Sequence, residues 1–323
     1  MSELPPLYPL LLHPSLHVKV WGGRQLADVM GKNLPTAEPY GESWELHDSA
    51  TVAEGMLAGR RLGNVLAQYG TALIGPGSDP AEGFPLLVKL LDAADWLSVQ
   101  VHPDDAQAAE LEGQPRGKTE AWYILAAEPD ARLVIGVKPG TDRDEMAAAI
   151  RENRLEALLV YADIRAGDAL YMPAGTVHAI GPGTLIYEVQ QSSDTTYRLY
   201  DWGRPGLDGQ PRPLHIDKGV RVSNTESLPR LSHTQRSGES EQRIIEGEFF
   251  TTVLHLLAPT APADLDTGGD TFHALTCIEG RARVSTERVS VAMQKGQTVL
   301  VPAAVGAYSL AGQGQVLRSW QGE

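Results

Sequence analysis

Four things are scarce in this sequence, and each absence narrows the reading. The chain of 323 residues has one cysteine, Cys277, so no intrachain disulfide can form. Cys277 lies in an apolar run, which predicts a buried, inert thiol and suits a reducing compartment. Positive charge is short: 27 Lys and Arg stand against 41 Asp and Glu, a net charge of −14. That argues against nucleic acid as a partner. It leaves room for an anionic small substrate, because a pocket can be locally basic inside an acidic protein. Long apolar runs are lacking too. The patch in "MSELPPLYPLLLHPSLHVKVWGG" is broken by prolines and has no basic leader, so it reads as neither signal peptide nor membrane span. The expectation is a soluble cytoplasmic protein with no membrane partner.

Helical periodicity is the fourth scarcity. It is confined to 60–74, to 103–112 with Asp104 and Asp105 in its first turn, and to 141–161, where Thr141 and Asp144 have a capping-box-like spacing. What fills the rest is short apolar runs bounded by Gly, Pro or Asp: "PLLVKLLDA", "WLSVQVH", "EAWYILAA", "RLVIGV", "DALYMPA" and "TLIYEVQQ". After a polar stretch at 226–242 come "FFTTVLHLL", "TFHALTCIEG", "RARVSTERVSVA" and "TVLVPAAV". These predict a mainly β protein. The 33 glycines and 22 prolines fit its many turns, and the length fits two domains, 1–225 and 226–323.

The second part echoes the first. "IRAGDALYMPAGTVHAI" aligns with "MQKGQTVLVPAAVGAYSL", so that Pro173 on Pro302 sets His178 opposite Ala307. Upstream, "EAWYILAA" laid on "HALTCIEG" sets Glu120 opposite His273. The echo predicts two copies of one jelly-roll module, of which only the first keeps a full set of polar donors.

Those donors are Gln100 and His102 in "SVQVHP", Glu120 in "GKTEAWYI" and His178 behind the 173–175 turn. Residues i and i+2 of a strand share a face, so Gln100 and His102 can reach one ion. Two imidazoles, a carboxylate and an amide oxygen make a mixed N/O set that suits a borderline cation such as Zn²⁺. Each residue alone also reads as an ordinary core or surface residue, and on spacing alone both readings stand.

Four stretches, "LSVQVHPDD", "GKTEAWYIL", "MPAGTVHAIG" and "EVQQSSDTTYRLYDWGR", with "VWGGRQL" and "GESWEL" near the N-terminus, resemble the type I mannose-6-phosphate isomerases of the short bacterial form. The resemblance spans about residues 18–220. It implies a zinc-dependent cupin enzyme, one Zn²⁺ per chain, that interconverts mannose 6-phosphate and fructose 6-phosphate through an enediol-type proton transfer. Its zinc ligands fall on Gln100, His102, Glu120 and His178. It marks Arg198 as an active-site residue, and Lys89 and Ser98 as lining the phosphate end.

The residues themselves support such roles in part. The fixed charge of Arg198 can stabilise an enediolate or orient the substrate, and Asp194, four residues earlier, can orient Arg198 or join in proton transfer. Lys118 shares a strand face with Glu120 and can bind phosphate or act as an acid–base group. Lys89 inside an apolar strand requires a partner. The ordinary readings are an Arg paired with Asp194 or Asp201, a turn-forming Asp194, a surface Lys118 and a harmless Ser98 hydroxyl. One departure stands out: longer family members carry "HKPE" where this chain reads "GKTE", so Gly117 replaces a histidine linked to ring opening. His47 is a loose candidate for a base. Two other readings compete: a non-catalytic bicupin that binds or senses a sugar phosphate, and an Fe²⁺ or Mn²⁺ cupin oxygenase. Lys89, Lys118 and Arg198 count against the oxygenase, since they ask for an anionic substrate. Oligomeric state is left open, a monomer included.

Overall fold

The computed structural model describes residues 4–233 and 239–322. The chain is mainly β, as expected, and its strands form two large sheets. The first has seven strands in the order Leu231–His233, Asp168–Met172, Glu120–Ala127, Thr184–Gln191, Leu86–Ala93, Tyr40–Leu46 and Ser15–Gly23. The second has nine, with His273–Ser285 and Ala307–Gln321 at its centre.

The two sheets stack through one apolar core. Leu86, Val88, Leu90, Ala121, Tyr187 and Val189 of the first pack with Phe250, Leu254, Phe272, Ala274, Leu300 and Leu317 of the second. The other face of the first sheet turns to two small sheets, Ala179–Ile180 with Arg132–Val137 and Leu159–Asp163, and Tyr197–Tyr200 with Val99–Val101. Side chains alternate between the faces, so Leu86–Ala93 is buried along its whole length. Both its faces are covered, which is why its sequence is a continuous apolar run rather than an alternating one. The sheets pack face to face in the cupin manner and do not close into the separate barrels expected from the sequence.

The helical stretches are shorter than their periodicity predicts. Residues 60–74 split into Leu62–Tyr69 and Thr71–Ile74 at Gly70, whose positive φ breaks the run. The 141–161 stretch is α-helical only over Arg143–Arg151; a single 3-10 turn, Leu155–Leu158, follows, and the tail is the strand Leu159–Asp163. Asp142, not Thr141, caps it by accepting from the Glu145 N–H, while Thr141 Oγ1 donates to the Lys138 carbonyl. Asp105–Glu112 has the expected acidic start, with a full capping box between Asp104 and Gln107. Of the polar stretch 226–242, Leu231–His233 pairs with Asp168–Met172, and 234–238 lie outside the described residues. Strands from the N-terminal part, Leu10–His13 and Thr51–Val52, complete the second sheet: Leu10 pairs with Leu300 and Leu12 with Val52. Among the described residues no helix is long and apolar enough to cross a membrane.

Candidate metal centre

His102, Glu120 and His178, all buried, place one possible ligand atom each within 4.8 Å of one another. The backbone brings them there. Gln100 and His178 exchange N–H···O bonds of 2.9 Å in both directions, which joins the Val99–Val101 strand to the segment that follows the 173–175 turn. Gly175, at φ +85°, donates to the His102 carbonyl at 2.8 Å, a conformation that favours glycine. Ala174 N donates to Thr119 Oγ1 at 3.3 Å, which ties the same turn to the strand that opens with Glu120.

Each imidazole is held through Nδ1. That of His102 is 2.8 Å from the Thr195 carbonyl, and that of His178 is 2.8 Å from the Thr176 carbonyl. A carbonyl only accepts, so each Nδ1 carries the proton and each Nε2 presents a lone pair. Both lone pairs turn to Glu120: His102 Nε2 is 3.4 Å from Oε1, and His178 Nε2 is 3.3 Å from Oε2. Such outer hydrogen bonds are how proteins fix metal-binding histidines. Burial, aided by Lys118, holds His102 at about 3, and burial also holds His178 below its ordinary value. Both rings are therefore neutral at pH 7. The Gln100 amide lies 3.3 Å from His178 Nε2. Its oxygen and nitrogen exchange by a simple flip, so a carbonyl oxygen can face the same point.

Glu120 is the strongest sign of a cation. It is 1% exposed, and among the described residues no well-directed hydrogen bond reaches either of its oxygens. A buried carboxylate in that state is costly unless a positive group neutralises it. Lys118 Nζ, 2.5 Å from Oε1 and 3.2 Å from His102 Nε2, supplies part of that charge. Two neutral imidazoles, an amide and this carboxylate fit a divalent ion of borderline character.

Around this cluster the structure adds residues that the sequence reading missed. Glu188 pairs in register with Lys89 and with Trp122. It lies 3.0 Å from Lys89 Nζ and accepts from Trp122 Nε1 at 2.8 Å. Lys89 also donates to Gln190 Oε1 at 2.7 Å. Burial opposes the charge on Lys89, yet Glu188 and Glu42 hold it strongly protonated. Burial likewise works against Glu42, but Lys89 and Lys19 outweigh it and hold that carboxyl at about 2. The signal was present in "TLIYEVQQ": a Glu in an apolar strand requires a partner as much as Lys89 does.

The remaining expected residues spread outward. Arg198 pairs in register with Gln100, so the two share a face. Its Nη1 donates to the Pro213 carbonyl at 3.0 Å, and its buried Nε has no partner. Burial and the nearby Arg212 press on its charge, with Asp201 in partial relief. Asp201 is itself bound by Arg212 and Arg204, so the locality is basic. Asp194 lies beside His47, and the two line a cavity of about 510 Å³ with Trp44, Arg116 and Thr195, the residue whose carbonyl holds His102. Ser98 is buried and continues the alternation of Gln100 and His102. Gly117 has a steric reason: a Cβ there would lie 2.4 Å from the Asp104 carbonyl carbon and 2.5 Å from the Pro103 oxygen. No histidine fits at 117 on this backbone.

A jelly-roll-like pair of sheets with a buried His–Glu–His cluster at the end of an interior strand of one of them defines a cupin-type protein with a candidate metal centre. Comparison narrows the class. Residues 10–131 match the model for the phosphomannose isomerase type I catalytic domain, and 240–321 match the mannose-6-phosphate isomerase cupin domain. The chain is 32% identical to mannose-6-phosphate isomerase of Streptococcus mutans over 98% of its length and 99% of the relative's. It is 34% identical to mannose-6-phosphate isomerase ManA of Bacillus subtilis, over 96% of this chain and 98% of that one. A crystal structure of the Bacillus subtilis mannose 6-phosphate isomerase superposes with TM-score 0.86 at 32% identity, covering 96% of this chain and 99% of that chain. This chain belongs to the type I mannose-6-phosphate isomerase family.

Proposed function

We propose that the protein is a cytoplasmic, zinc-dependent aldose–ketose isomerase that interconverts mannose 6-phosphate and fructose 6-phosphate by an enediol-type proton transfer. The observation that carries this reading is the buried Glu120 carboxylate, without well-directed donors, on which two Nδ1-anchored imidazoles converge. Gln100, His102, Glu120 and His178 would hold the ion. When bound, zinc supplies Lewis-acid stabilisation of charge that develops on substrate oxygens.

The chain's own groups would do the rest. Lys118, in contact with Glu120 and His102, is placed to hand a proton to or from a substrate bound there. Arg198, in its basic surroundings, would hold a negative oxygen of the substrate. Asp194 and His47, neighbours in the wall of the adjoining cavity, would serve ring opening, since Gly117 offers no group for it. Lys89 and Ser98 are assigned to the phosphate end; a phosphate arriving at Lys89 would compete there with Glu188.

Metal analysis joined to a coupled isomerase assay tests the reading. Protein carrying about one Zn²⁺ per chain should convert mannose 6-phosphate, and a chelator should abolish the activity until zinc is restored. A zinc-loaded protein without turnover would return the chain to the sugar-phosphate-binding alternative.

A further inference from the structure

The echo between the two halves is repeated in their strand registers. Glu120 pairs with Met172, one residue before Pro173, and His273 pairs with Val301, one residue before Pro302. Two residues further along, Trp122 pairs with Glu188 and Leu275 pairs with Arg318. His273 thus stands where the first module has Glu120, and Arg318 stands where it has Glu188. Across the next strand Lys89 faces Glu188, whereas Val253 faces Arg318. Two buried acids have become an imidazole and a guanidinium, and the opposing cation has become apolar. The sign of the site is reversed.

The charge of Arg318 is thinly matched. The residue is 9% exposed and its buried Nε has no partner among the described residues. The carboxylate it meets, Glu241, is half-exposed and 3.4 Å away, and the Trp320 ring centre lies 4.6 Å from its guanidinium carbon. A charge buried this far is costly without a close counter-ion. His273, also buried, engages the Tyr308 hydroxyl through Nδ1 at 2.8 Å. Arg318, His273 and Trp320 line a cavity of about 930 Å³ that opens between the two modules and reaches Arg116 and Gln191. Five carboxylates also line it: Glu82 engages Arg116, Asp105 accepts from Gly117 N–H and Gln191 Nε2, Asp266 accepts from Gly268 N–H, and Glu248 and Asp270 complete the acidic part of the wall, so the positive charge is local to Arg318 and Arg116.

We propose that this cavity is a second, non-catalytic ligand site that takes a small phosphate-bearing molecule, with Arg318 binding the phosphate and His273 and Trp320 flanking it. The ligand can be a sugar phosphate or free phosphate, since both present the same anion to Arg318.

Equilibrium dialysis of the metal-loaded protein against labelled mannose 6-phosphate, and separately against inorganic phosphate, tests the proposal. Arg318→Gln should lose one of the bound molecules, or weaken it at least tenfold, while the isomerase kcat/KM stays within about twofold. Arg318→Lys should restore part of that binding. Loss with both probes identifies the phosphate group alone as the ligand; loss with mannose 6-phosphate only identifies the sugar phosphate. Binding of both probes unchanged in folded Arg318→Gln overturns the site, and so does a joint loss of binding and turnover in a folded variant. Should Arg318→Gln fail to give a cooperative melt, Trp320→Leu carries the test: a fivefold weaker second site is expected, and unchanged affinity overturns it. An inactive protein that still binds through Arg318 would sink the isomerase reading and leave this one standing.

Discussion

His102 and His178 each commit Nδ1 to a backbone carbonyl and turn Nε2 toward a buried carboxylate whose charge Lys118 offsets in part. That arrangement has little structural value by itself, because it packs a buried carboxylate against two Nε2 atoms that have no proton to give it. A cation bound there would account for it, and two variants test that reading. His178→Ala should lose bound zinc, measured as metal per chain, while the circular dichroism spectrum and the cooperative melt survive. Metal content equal to wild type would make His178 a core residue. Arg198→Ala leaves every donor of the cluster in place, so metal content should hold while kcat/KM falls by roughly 10²–10³, the size seen when one group that stabilises developing negative charge is removed. Full activity would take Arg198 out of the mechanism. At this scale the sequence was most legible for residues whose spacing repeats the strand period, Gln100 with His102 and Lys118 with Glu120. It was least legible for Glu188, whose partner Lys89 is brought to it by strand register between segments about 100 positions apart.

Among the elements, the helix Asp105–Glu112 shows how a local signal supports the site. Its Asp104 capping box terminates the chain segment that leaves His102, and the Asp104 backbone lies against Gly117, next to Lys118. Asp104→Ala should lower stability by about 1 kcal/mol, the usual loss for an N-cap, in denaturant unfolding. Metal content should not change, since the Lys118 N–H still bonds the Pro103 carbonyl; loss of metal would show that the cap also orders the ligands. Other local signals overran. The 141–161 pattern continues past Arg151 because Leu155, Leu158 and Leu159 keep a helical spacing, yet Leu159 is drawn off to pair with Val137. Tertiary pairing outweighed periodicity there. We propose 225/226 as the boundary between a catalytic unit and a covering one, with Leu10–His13 and Thr51–Val52 crossing into the second sheet and Leu231–His233 returning to the first.

For the molecule as a whole, the apolar face shared by the two large sheets predicts a single cooperative unit. Phe272 is fully buried in it, edge-on to Phe84 at 4.7 Å, and Tyr187 meets Ser319 at 2.7 Å across the same core. Phe272→Ala should destabilise by roughly 3–5 kcal/mol. Calorimetry should show one transition moved to lower temperature; two separate transitions would mean that the modules fold independently. Alone, the sequence determined the β class, the repeat, and the residues able to bind a cation, because strand alternation and ligand chemistry are local properties. The loss of those donors in the second copy was also plain, from Ala307 opposite His178. Only the tertiary structure decided that Glu120 lacks well-directed donors, that Lys89 is matched to Glu188 and Glu42, that the N-terminal strand belongs to the second sheet, and that Arg318 inherits the place of Glu188. Those facts depend on which distant strands pair and in what register, and on which charges burial then strands together. Neither is written in any short stretch of the chain.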